Sequence, residues 1–201
     1  MVADWPEVTL AFNLAILGAL ASPGPAFIVM IRASVAGGRR QAMATGFGLA
    51  TMAVLWSLTA MAGINILFQA VPAAYLTIKI AGAAYLIWLA LSLWRHADRP
   101  IGVAPPRGPK GFALGFLTNL ANPKAVVFIA AIFATILPQE IPHAMQAQIL
   151  FNHFALEIIW YTVMALMLTT APARAAYLKA KAQLDRVAAV VLGALAVRVA
   201  T

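Results

Sequence analysis

The chain contains no cysteine and is poor in charge: only 10% of its 201 residues are Asp, Glu, Lys or Arg, and just six of these are acidic. Without cysteine, neither a disulfide framework nor a thiolate metal site can form. A soluble domain of this size carries about 25% charged residues, so 10% cannot cover its surface for water. With 63% hydrophobic residues and a mean hydropathy of +0.89, the solvent implied is lipid. A Gly-Lys-Ser/Thr phosphate loop is also missing, which argues against an ATP-driven pump on this chain. His96, His143 and His153 lack metal-ligand spacing and no nucleophile motif stands out, so neither a metal nor a cofactor is expected. The net charge of +8 is scattered between apolar runs and forms no basic stripe with interleaved aromatics. Nucleic acid is therefore not an expected partner.

What the chain does have is long chargeless runs, and one of them is interrupted in an unusual way. Val8 to Ile31 carries no charge yet contains Ser22-Pro23-Gly24-Pro25. Pro23 and Pro25 each remove a backbone donor and clash with carbonyls one turn back, and Gly24 between them tolerates dihedrals that other residues resist. In hydrocarbon a freed carbonyl costs several kcal/mol, roughly, unless protein or a wet cavity satisfies it. A second interruption, Asn122-Pro123-Lys124, lies in another apolar run further along the chain. Two breaks at membrane depth predict a cavity.

A ~30 Å hydrocarbon core takes about 20 helical residues, which predicts six spans: 8–31, 41–68, 74–94, 111–137 (interrupted at Pro123), 145–170 and a short one near 187–200. The start resembles a signal peptide in its Ala19-Leu20-Ala21, but Asp4 and Glu7 with no Lys or Arg are the wrong flank for one. The first helix is expected to be retained. The loops after spans one, three and five hold Arg32, Arg39 and Arg40; Arg95, Arg99, Arg107 and Lys110; and Arg174, Lys179, Lys181 and Arg186. The other side holds only Arg198. This bias places the basic loops in the cytoplasm and both termini outside.

The fold class expected is thus an all-α polytopic membrane protein. Residues 1–98 form a first three-helix repeat, 99–107 a cytoplasmic linker and 108–201 a second repeat. An odd number of spans per half inverts the two, with helices 1 and 4 broken. That is the pattern of inverted repeats whose broken helices line a midplane site. The half-helices starting at Pro25 and Pro123 would turn their partly positive N-termini toward a carboxylate.

Ser22-Pro23-Gly24-Pro25, the run Ala81-Gly82-Ala83-Ala84-Tyr85-Leu86, Asn119-Leu120-Ala121-Asn122-Pro123-Lys124 and Gly193-Ala194-Leu195 together resemble the LysE/RhtB family of amino-acid exporters. The resemblance covers nearly the whole chain. It implies a six-span protein of the bacterial inner membrane, a homodimer that exports an amino acid or related metabolite on the proton gradient. Where some members carry an acidic residue in the second helix, this chain has Thr51 and Met52.

Lys124 stands near the middle of span four, where a lysine costs ~2.5–3.5 kcal/mol on insertion scales and so must be paired or face water. It is the expected cation for a substrate carboxylate; the plainer reading is a lysine capping carbonyls freed by Pro123. With it, Ser22, Pro23, Gly24, Pro25, Asn119, Asn122 and Pro123 form the expected substrate site, although Ser22 and the two asparagines would equally re-satisfy opened backbone. Glu157, in mid-span five, is the candidate proton carrier or counter-ion of Lys124 or Lys79. His153 lies one turn before it on the same face, a possible relay. Lys79, near the outer face, can instead snorkel to the headgroups. Gly111 and Gly115, with Gly46 and Gly48, are expected to serve close helix packing. The function expected is a proton-coupled secondary exporter of a small zwitterion. A lipid-modifying intramembrane enzyme using Glu157 and His153, and a non-transporting scaffold, are the alternatives.

Overall fold

The computed structural model describes residues 5–21, 24–70, 74–98, 110–138 and 141–200. These form α1 (Trp5–Ala21), α2 (Pro25–Ala70), α3 (Ala74–His96), α4 (Gly111–Leu120), α5 (Pro123–Thr135), α6 (His143–Leu168) and α7 (Ala171–Ala200). The expected linker at 99–107 lies outside the described residues, as do Ser22 and Pro23.

Both proline breaks separate helices. α1 ends at Ala21 and α2 opens on Pro25; α4 ends at Leu120 and α5 opens on Pro123. A proline in the first helical position is the expected arrangement, because its missing N–H would have no intrahelical partner there. Across the second break the helix axes bend by 61°.

Two boundaries differ from the sequence reading. The basic segment after the first span is no extended loop. Helix continues from Pro25 to Ala70 and turns at one residue, Gly38, whose φ of 65° and ψ of −164° are open to glycine and strained for anything with a Cβ. The basic stretch 174–186, expected to lead into a short sixth span, is instead helical and continuous with it in the 30-residue α7.

α2 packs on α4 and α6, α3 on α5 and α7, and α1 on α7 and α6. One core joins Phe12, Ile16, Leu86, Leu89, Phe128, Ile132 and Leu192 from α1, α3, α5 and α7. A second joins Met30, Ile31, Leu49, Met164 and Leu168 from α2 and α6. Between α2 and α4 the backbones touch: a Cβ on Gly48 would run into the Phe112 carbonyl and one on Gly115 into the Thr45 carbonyl. The Thr45 hydroxyl donates across the same seam to Gly111 O at 3.2 Å.

Outward-facing side chains are apolar where water would demand polar ones. Trp88, Phe151, Ile159, Val187 and Val190 are all more than half exposed, a perimeter suited to acyl chains. Residues 25–63 and 143–168 are each long and apolar enough to span a bilayer, and the bent pair α4–α5 passes the same test together.

Candidate functional site

Pro123 lacks the N–H that would bond the carbonyl of Asn119, and two other donors take its place. Trp56 Nε1 donates to Asn119 O at 3.3 Å, and the Asn122 amide reaches the same oxygen at 3.2 Å. The Asn119 side chain donates in turn to Leu49 O at 2.8 Å, tying the end of α4 to α2. Asn122 then caps α5, its Oδ1 accepting from the Lys124 amide at 3.2 Å. Both asparagines are buried; Asn122 serves the opened backbone, and the Asn119 side chain braces α4 against α2.

The cap fixes the start of α5, and Lys124 extends from it toward the other break. A Cβ placed on Gly24 would lie 3.6 Å from Lys124 Nζ. The two proline breaks, far apart in sequence, therefore meet at one point. Between them is a cavity of about 70 Å³, room for several waters at roughly 10–15 Å³ each on this measure. Gly24, Pro25, Asn119, Asn122 and Lys124 reach it from the breaks, and His153, Glu157 and Tyr161 from α6.

α6 presents His153, Glu157 and Tyr161 at four-residue spacing, one above the other on a single face. His153 is fully buried; its Nδ1 lies 2.8 Å from Ser57 Oγ of α2, and Phe12 of α1 packs edge-on at 5.7 Å between ring centres. Its Nε2 stands 3.4 Å from Glu157 Oε1, and Tyr161 shares a side-chain hydrogen bond with Glu157. Glu157 Oε2 and His153 Nε2 are buried without a hydrogen-bond partner, which is rare for such groups.

Of the expected site residues, Gly24, Pro25, Asn119, Asn122, Lys124, His153 and Glu157 thus converge on one cavity. Pro123 opens α5. Ser22 and Pro23 fall outside the described residues; Lys79 belongs to α3, and its side chain lies outside them as well. Sequence reasoning missed Ser57 and Trp56, which carry no signal of their own in an apolar run. It also missed Asp185, a buried acid hidden by the basic residues around it.

A family model described as LysE type translocator matches residues 17–201. The threonine efflux protein of Escherichia coli (strain K12) is 28% identical over 170 residues, covering 79% of this chain and 81% of its own. The homoserine/homoserine lactone efflux protein of Salmonella typhimurium is 35% identical over 133 residues, 64% of each chain. No solved structure shows a significant match.

Proposed function

The chain belongs to the LysE type translocator family, a membrane transporter and not an enzyme, and from that premise we propose that it exports a small zwitterionic amino acid by proton antiport. The relatives named for threonine and homoserine efflux support the substrate class. The observation that carries the reading is the placement of Lys124 Nζ beside Gly24. An ammonium next to the positive N-terminal end of α2 is unfavourable by itself, and a carboxylate bound between the two would relieve that repulsion.

On this reading Lys124 and the N-terminal ends of α2 and α5 hold the substrate carboxylate. The Glu157–His153 pair takes and releases the proton, its unpartnered buried atoms being the place where one would be gained. The two three-helix units are inverted repeats that rock about the cavity to expose it to each side in turn. The bacterial inner membrane, cytoplasmic basic loops, external termini and a homodimer complete the proposal.

The test is efflux of labelled L-threonine and L-homoserine from proteoliposomes under an imposed pH gradient. Lys124→Met should cut efflux about 100-fold, the loss expected when a buried charged partner is removed, while inserting and folding normally. Efflux at wild-type rates in that variant would overturn the assignment.

A further inference from the structure

Helical hydroxyls in this protein commonly donate to the carbonyl four residues back. Ser34 does so to Met30 O at 2.8 Å, Thr51 to Phe47 O at 2.8 Å, Thr59 to Leu55 O at 2.9 Å and Thr135 to Ala131 O at 2.7 Å. Ser57 of α2 does otherwise. It is fully buried, and among the described residues its Oγ has one hydrogen-bond partner, Nδ1 of His153 on α6, at 2.8 Å. A buried hydroxyl rarely leaves its hydrogen unpaired. That hydrogen therefore goes to Nδ1, which must be the bare acceptor nitrogen, so the neutral ring carries its own hydrogen on Nε2.

The tautomer decides what faces Glu157. Nε2 stands 3.4 Å from Oε1, longer than a well-formed N–H···O bond but close enough for the sign of the contact to matter. A bare Nε2 would set a lone pair against a carboxylate oxygen, whereas Nε2–H sets a donor there. Of the two unpartnered atoms in the pair, Nε2 then carries a hydrogen already, and only Glu157 Oε2 is an open acceptor. Glu157 lines the cavity, so a proton can reach it from there. Ser57 from α2 and Phe12 from α1 meet the His153 ring, and neither titrates. The other titratable residues lining the cavity, among those described, are Tyr161 on α6 and Lys124 on α5.

We propose that Ser57 is the positioning residue that divides the work within the pair. By donating to Nδ1 it holds the neutral His153 as a hydrogen donor toward Glu157, and so makes Glu157 Oε2 the atom that takes up the proton. Uptake forms one O–H bond at Oε2 and neutralises the carboxylate. Release breaks that same bond and restores the charge, and His153 keeps its hydrogen on Nε2 throughout. The Ser57 hydroxyl thereby ties the titrating face of α6 to α2. The consequence for transport rests on the exporter reading, whereas the tautomer can be read without transport.

Two measurements test it on the full-length protein. The first is the nitrogen NMR spectrum of protein labelled at its histidine rings, with the exposed His96 and His143 changed by His96→Asn and His143→Asn so that His153 is seen alone. The neutral ring should carry its hydrogen on Nε2. Ser57→Ala should move the tautomer balance toward Nδ1–H about tenfold, the equivalent of one buried hydrogen bond. A ring with its hydrogen on Nδ1 while Ser57 is present, or a balance that Ser57→Ala does not move, would overturn the proposal. The second is transport in proteoliposomes loaded with L-threonine. In Ser57→Ala the ratio of gradient-driven efflux to exchange at equal pH should fall by a similar factor, because a bare Nε2 then competes with Oε2 for the proton. Efflux and exchange that fall together, in step with the amount of folded protein, would reduce Ser57 to a brace between α2 and α6 and overturn its role in placing the proton. Should the protein with Ser57 intact move neither L-threonine nor L-homoserine, the exporter reading fails, and the tautomer still decides whether Ser57 positions His153.

Discussion

At the scale of single residues, polar groups in this protein divide into those that repair backbone and those left with unused capacity. Asn119, Asn122 and Trp56 belong to the first kind: Trp56 bonds the carbonyl freed by Pro123, Asn122 caps the start of α5, and the Asn119 side chain ties the end of α4 to α2. Glu157, His153 and Asp185 belong to the second, each keeping a buried atom without a hydrogen-bond partner. Such atoms cost roughly 1–3 kcal/mol apiece, a standing penalty that a transport cycle would justify. Glu157→Gln keeps the shape of the side chain and its contact with Tyr161 but cannot release a proton. Its net L-threonine efflux should lose the response to an imposed pH gradient, while exchange of L-threonine across the membrane at equal pH falls far less. A gradient response equal to wild type would assign the proton to another group.

At the scale of elements, close approach is set by glycine. α2 and α4 touch backbone to backbone at Gly48 and Gly115, and the helix break at Pro123 is anchored to α2 directly beyond that seam. Gly115→Ala must force the helices apart at the Thr45 carbonyl, so its unfolding free energy should fall by at least the ~1–3 kcal/mol typical of overpacking. Gly63→Ala, in the same α2 with nothing within 4 Å of the added Cβ, should be neutral or stabilising by about 0.5–1 kcal/mol. Equal effects in the two would refute the seam.

The elements also show what could be read from sequence. Both breaks were legible because a proline inside an apolar run has no harmless explanation. The turn at Gly38 was not: Gly37-Gly38-Arg39-Arg40 reads as a loop, yet one positive φ reverses the chain with helix on both sides. α7 was misjudged at its start because charge normally marks a loop. There, Lys181 and Asp185 pair at i, i+4 and Arg186 meets Asp98 at 3.0 Å, so the charges dock the helix on the end of α3. The convergence of Lys124 on Gly24 and the role of Ser57 depend on tertiary packing, which no spacing rule encodes.

At the scale of the whole molecule, the seven helices among the described residues have an apolar perimeter and enclose a cavity, walled by apolar side chains with a few polar groups, where the two proline breaks meet. The breaks meet at that cavity, and α6 lines it with His153, Glu157 and Tyr161. The central claim is that this cavity is wet and holds a carboxylate against Lys124. Because the chain has no cysteine, a single thiol can probe it without background. Gly24→Cys is sterically tolerable, since its Cβ would make only ordinary contact with Lys124. The decisive measurement is the rate at which a small water-soluble methanethiosulfonate modifies that thiol in membranes. The account predicts ready modification, slowed by saturating L-threonine, with the slowing abolished when Lys124→Met is added. A thiol that does not react, or that reacts equally fast with and without the amino acid, would contradict it.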